Sequence, residues 1–134
     1  MDVFIKKYTI SKDHIDTNGH LNEVGFYYYA GLMPWALGKE KFGDDFIKKH
    51  NIGPVIFDTT IKFLKEIFQD EEIKMTLEFS DLIDRGRKFT RTIEIFNKNG
   101  ELCAVVTSHG GFMNLETRRI VVPPEEVYEV FLKN

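Results

Sequence analysis

Four side chains able to hydrogen-bond or move a proton stand at every second position in a seven-residue loop: Asp16, Asn18, His20 and Asn22, grouped around Gly19. A carboxylate can take a proton from water or attack a carbonyl, and an imidazole titrates near neutrality, so it can bind a substrate or tune a neighbouring acid. The same residue types also shape turns, because Asp and Asn side chains bond local backbone in glycine-containing loops. His20 could equally serve only to pin the loop in place.

The loop must be positioned by what flanks it. Val3 to Ile10, β-branched and aromatic, reads as a first strand ahead of the turn-prone Ser11-Lys12-Asp13. Behind the loop, Val24 to Leu37 is apolar or aromatic at almost every position and carries no charge. A helix apolar on every side must be buried on every side, and this one is shorter than the roughly 20 residues that span a bilayer. Asn18 or Asn22 caps it, Pro34 removes one of its hydrogen bonds, and Gly38 stops it. Lys39 to Asn51, with Phe42, Phe46 and Ile47 among charges, reads as a short amphipathic helix.

From Val55 the period changes from 3.6 to 2. Val55 to Ile67 is a strand, and Ile73, Met75, Leu77 and Phe79 alternate with polar residues, as on a strand with one buried and one wet face. Arg87 to Asn97 and Glu101 to Leu115 flank Asn97-Lys98-Asn99-Gly100, whose Asn-Gly predicts a tight hairpin. After a turn at Glu116 to Arg119, Pro123 and Pro124 introduce a last helix, Glu125 to Leu132. One antiparallel sheet of about five strands around the long helix accommodates both the apolar helix and the one-sided strands, an α+β fold.

Composition narrows the partners. The chain has 134 residues, 43% of them hydrophobic, which suits one domain over 1–134. Eighteen basic and 21 acidic residues give a net charge of −3, so nothing points to nucleic acid, and no segment points to a membrane. Cys103 is the single cysteine; in the strand-like run Leu102 to Thr107 it reads as a buried, inert thiol, and no disulfide can form within the chain. The N-terminal MDVFIKKYTI lacks the pattern of a secretory signal, and a cytoplasmic location is expected. His109 in Ser108-His109-Gly110-Gly111 reads as structural, its glycines permitting close approach of a helix or a ligand.

The loop His14-Ile15-Asp16-Thr17-Asn18-Gly19-His20-Leu21-Asn22 resembles the D-x-x-G-H-x-N signature of the hydroxybenzoyl-CoA and acyl-CoA thioesterases, which have the hot-dog fold. Phe112-Met113-Asn114-Leu115-Glu116-Thr117-Arg118-Arg119, followed by Pro123-Pro124-Glu125-Glu126, is similar to the last strand and tail of the same family. The resemblance implies hydrolysis of an acyl-CoA or acyl-carrier thioester, with Asp16 as general base or nucleophile and His20 and Asn22 beside it. Backbone N–H groups near Asn22 to Gly25 would hold the thioester oxygen as it gains charge. Asn18, Gly19, Glu23, Val24, Gly25 and Tyr28 would contact substrate, and Arg87 and Lys88, like Arg85, Arg118 and Arg119, could meet CoA phosphates. No metal and no cofactor is implied beyond the coenzyme A of the substrate. A homodimer or homotetramer is implied as well. The chain departs from the family at His14, Glu23 and Phe26, where a second aspartate, a second asparagine and a tyrosine are common.

Tyr27, Tyr28, Tyr29, Leu32, Met33 and Trp35 could wall a slot for an apolar or aromatic acyl group. The departures leave room for a second class of function, a non-catalytic acyl-binding protein. A thioesterase acting on acyl-carrier protein is a further alternative, and a hot-dog dehydratase fits this loop less well.

Overall fold

The computed structural model describes residues 3–133; the first two residues of the N-terminal stretch read above lie outside them. β1 (Phe4–Thr9) leads through a 3-10 turn (Lys12–His14) and the polar loop into α1 (Glu23–Phe42), followed by α2 (Phe46–His50). Then come β2 (Ile52–Phe63), β3 (Glu72–Ile83), β4 (Lys88–Phe96), β5 (Leu102–Asn114) and α3 (Glu125–Lys133). The strands form one sheet in the order β1-β3-β4-β5-β2, every neighbouring pair antiparallel. This is the hot-dog architecture, with the long helix packed on one face of the sheet.

The alternating strands place their apolar sets on that face. Ile73, Met75, Leu77 and Phe79 of β3 are buried, as are Phe89, Ile93 and Ile95 of β4 and Ala104, Val106 and Phe112 of β5. Cross-strand register sorts them into rows: Met75, Ile95, Ala104 and Phe63 form one, Leu77, Ile93, Val106 and Ile61 the next. α1 answers with Phe26, Tyr29, Ala30, Met33 and Leu37, spaced three or four residues apart. The Asn97–Gly100 hairpin forms as expected: Asn97 Oδ1 accepts the N–H groups of Asn99 and Glu101, and Gly100 takes φ +78°, which glycine adopts without strain.

α3 closes one end of the core. Phe131 stacks on Phe79 with ring centroids 3.8 Å apart, and Phe89 and Phe112 complete an aromatic cluster. Arg85 pairs with Glu125 at the helix start and lies over the Tyr128 ring at 4.3 Å. His50 Nε2 lies 3.0 Å from Glu126 Oε1, where α2 and α3 meet.

Three expectations are corrected. α1 is not buried on every side: Val24, Tyr27, Tyr28 and Trp35 are exposed, Val24 at 65% and Trp35 at 76%. A helix lying on one sheet buries one stripe, and among the described residues the other stays largely open. α1 also passes through Pro34 and Gly38 and stops at Gly43, whose φ of +82° terminates it while its N–H reaches the Gly38 carbonyl. An internal glycine costs about 1 kcal/mol, little beside the packing of a buried helix. The segment Lys39 to Asn51 is therefore split, its first residues extending α1 and only Phe46–His50 forming α2.

Candidate active site

The loop before α1 is built around Asp16. Its Oδ1 accepts the N–H of Asn18 at 2.9 Å and that of His20 at 3.5 Å, and its main chain exchanges hydrogen bonds with Gly19 and His20. Gly19 closes this turn at φ +84°. The second carboxylate oxygen, Oδ2, makes no such bond and lies 3.7 Å from His20 Nδ1. His20 is held in turn, Nδ1 being 3.3 Å from the Leu21 carbonyl and Nε2 3.8 Å from Glu66. Both side chains remain about a quarter exposed.

Asn22 is the helix cap. Its Oδ1 accepts the Gly25 N–H at 2.7 Å, its carbonyl accepts the Phe26 N–H, and its own N–H is taken by the His14 carbonyl. Of the first-turn donors, those of Glu23 and Val24 are left without a partner among the described residues. Gly25 is required by packing: a Cβ there would lie 2.4 Å from Leu21 Cδ1 and 2.7 Å from His14 Cβ. Tyr28, expected to contact substrate, is exposed, stacks on His14 at 4.7 Å and is not among the residues lining the cleft at Asp16.

Asp16, His20, Asn22 and Glu23 open onto a cleft of about 390 Å³, whose far wall is Phe26 together with Phe63 at the end of β2 and Leu64, Lys65 and Glu66 just after it. The Leu21 N–H bonds the Ile67 carbonyl at 2.7 Å, pinning the loop to that wall. Phe26 meets Phe63 edge-on at 5.3 Å. Lys65 pairs with Glu101, and this contact, with help from Asn97, holds the Glu101 carboxyl below its ordinary range. Among the described residues no three His, Cys, Asp or Glu side chains converge as a metal site would.

The structure thus gathers Asp16, Asn18, Gly19, His20, Asn22, Glu23, Val24 and Gly25 at one helix end. It does not bring Arg87 and Lys88 there. Lys88 begins β4, just after Arg87, level with Gly111 of β5, seven residues beyond Ala104, which pairs with Phe63; at ~3.3 Å per residue that is about 23 Å along the sheet. Arg87 is also paired with Asp84 at 2.8 Å. Sequence reasoning missed the wall Phe63 to Glu66, which is joined to the loop only by tertiary pairing, the bridge between His20 and Phe68. It also passed over Arg91, which strict alternation with Phe89, Ile93 and Ile95 would have assigned to the buried face.

The profile of the thioesterase-like superfamily matches residues 11–131, nearly the whole chain. The chain belongs to the thioesterase-like superfamily. Membership bears out the expected enzyme class, thioester hydrolysis. The fold is shared with a 1,4-dihydroxy-2-naphthoyl-CoA thioesterase from Synechocystis (TM-score 0.85, 13% identity, 97% of this chain and 96% of that one). It is shared too with a Staphylococcus aureus protein solved in complex with CoA (0.84, 15%, 98% and 82%). A third match is a DHNA-CoA thioesterase from Staphylococcus aureus (0.83, 18%, 99% and 91%). A comparison with curated proteins finds no sequence match. No helix among the described residues is long and apolar enough to cross a membrane.

Proposed function

We propose that this member of the thioesterase-like superfamily is an acyl-CoA thioesterase that uses Asp16 as its reactive carboxylate. The observation that carries the reading is the division of labour between the two oxygens of Asp16. Oδ1 is bound by the loop backbone, which fixes the carboxylate of a side chain that lines the cleft, and Oδ2 makes no hydrogen bond among the described residues and lies 3.7 Å from His20 Nδ1. Acting as base, Oδ2 takes a proton from water as the water oxygen bonds to the thioester carbon. The carbonyl oxygen becomes an oxyanion, for which the N–H groups of Glu23 and Val24 are the available donors, aided by the positive end of α1. Collapse breaks the C–S bond, and the thiolate recovers the proton from Asp16, giving a carboxylic acid and free CoA. Direct attack by Oδ2, giving a mixed anhydride that water opens, uses the same atom.

CoA as the carrier is supported by the CoA complex of the similarly folded S. aureus protein. The exposed stripe of α1 and the edge strand β2, with Phe57, Phe63 and Leu64 exposed, support a second copy of the chain as the missing cover. In that assembly Arg87 and Lys88 could reach CoA phosphates bound at the other subunit's loop, which a single chain does not allow.

The test is turnover of a panel of acyl-CoAs by the parent and by Asp16→Asn. In water labelled with oxygen-18, label found in the Asp16 carboxylate after a single turnover marks Asp16 as nucleophile, whereas label found only in the product acid fits Asp16 as base or an anhydride that water opens at the acyl carbon. A parent inactive on every thioester, including acyl-carrier substrates, would leave the non-catalytic acyl-binding reading in its place.

A further inference from the structure

Among the inward-facing rows of the sheet, one differs in chemistry. Phe79 of β3 is followed across the register by Arg91 of β4, Ser108 of β5 and Thr59 of β2. The row on one side, Leu77, Ile93, Val106 and Ile61, is apolar throughout, and on the other side Phe89, Gly110 and Ile56 follow one another across β4, β5 and β2. Arg91 is 8% exposed, yet no carboxylate among the described residues supports it. Its one hydrogen bond is a long one, Nη2 to Ser108 Oγ at 3.5 Å, and its buried Nε has no partner. Ser108 is fully buried and shares a 2.9 Å hydrogen bond with Thr59. Burial pushes the Arg91 pKa down, and the group that opposes this is Tyr27, on the exposed stripe of α1.

A guanidinium held out of water without an anion is expensive to keep, and a buried ion half-satisfied is worse than an apolar residue in its place. Five N–H donors in a planar fork suit a carboxylate, which can accept two of them in parallel. The row Arg91, Ser108, Thr59 ends at the edge strand β2, where Thr59 is only half-buried. Along the inner side of β2 the same strip runs through Ile61 to Phe63, the wall of the Asp16 cleft. Thr59 lies four residues from Phe63, about 13 Å at ~3.3 Å per residue.

We propose that Arg91 anchors a carboxylate at the far end of the acyl group, so that the preferred substrate is the monothioester of a long dicarboxylic acid lying along the inner side of β2. This inference rests on the thioesterase reading and names the substrate class for that site. Arg91 sets specificity and takes no part in the hydrolysis itself.

The experiment compares decanedioyl-CoA with decanoyl-CoA on the purified full chain, and measures decanedioate and decanoate binding by calorimetry. The parent should favour decanedioyl-CoA in kcat/KM. Arg91→Met should lower the ratio of the two kcat/KM values by about 10- to 100-fold, the usual worth of a hydrogen-bonded ion contact, with Arg91→Lys in between. If Arg91→Met fails to fold, the parent's own preference and its Arg91→Lys counterpart decide the matter. A parent that hydrolyses both thioesters equally, or favours decanoyl-CoA, overturns the role of Arg91 and leaves the thioesterase reading standing. Failure of all hydrolysis, with decanedioate still bound in an Arg91-dependent way, overturns the thioesterase reading and leaves the anion site standing.

Discussion

Asn22 Oδ1 accepts the Gly25 N–H at 2.7 Å, and the same Gly25 is the residue against which Leu21 and His14 close most tightly. One short contact therefore caps α1 and sets the angle at which the Asp16 loop meets it. Asn22→Ala should destabilise the fold by about 0.5–2 kcal/mol, the usual worth of a cap. Gly25→Ala should cost about 1–3 kcal/mol, because the added methyl meets the Cβ of His14, which moves only with the backbone. Urea unfolding of both variants checks this, and a Gly25→Ala chain as stable as the parent would mean the loop is free to shift.

Asp16→Asn keeps the shape of the side chain and its Oδ1 contacts while removing the charge. Turnover should fall by about 10²- to 10⁴-fold, the contribution of a positioned base, with folding and CoA binding retained. His20→Ala should reduce turnover less if His20, 3.7 Å from Asp16, only orients the loop. Parent-like hydrolysis by Asp16→Asn removes Asp16 from the mechanism.

The open edge of β2 and the exposed stripe of α1 predict an oligomer burying more than roughly 1,000 Å². Sedimentation at micromolar concentration should show a dimer or tetramer, and Trp35→Glu should weaken the association. A parent that sediments only as monomer would end this expectation and, with it, any role for Arg87 and Lys88 at the site.

The tether of α3 should respond to acid in a defined direction. The Arg85 guanidinium holds the Glu125 carboxyl below its ordinary value of 4.5. A carboxylate depressed in the folded state stabilises it above the unfolded value, and that contribution fades as pH falls through the folded value. The stability difference between the parent and Glu125→Gln should thus be present at pH 6 and shrink progressively below 4.5. The pair is exposed, so the difference is small and salt should diminish it.

Burial raises the Cys103 thiol above its usual range, and its Sγ lies 3.4 Å from the Glu101 carbonyl. A thiol reagent at pH 7 should leave the native protein unlabelled and react once urea unfolds it. Rapid native labelling would show that the start of β5 opens easily.

Much of this architecture was legible because one rule governed it at each place. Ile73 to Ser80 alternated strictly and became a strand with one buried face, and Asn97 to Gly100 made the turn its residues favour. The end of α1 was not legible: Gly38 and Pro34 are weak local signals, and the packing of Met33 and Leu37 carried the helix past both. At the site, the loop residues could be read because they are contiguous, whereas Phe63 to Glu66 reach them only through tertiary pairing. Arg91 was hidden by its charge, which suggests a solvated position although its parity on β4 points inward.

The order of the elements also bears on how the protein is made. α1 is complete at Phe42, but the strands whose faces cover it, β3, β4 and β5, are not all synthesised until Asn114. At roughly 5–20 residues per second the apolar stripe of the newborn helix waits on the order of several seconds for its sheet, long enough for a chaperone to hold it or for neighbouring chains to stick. Early truncation products should therefore be insoluble even where the finished chain is not.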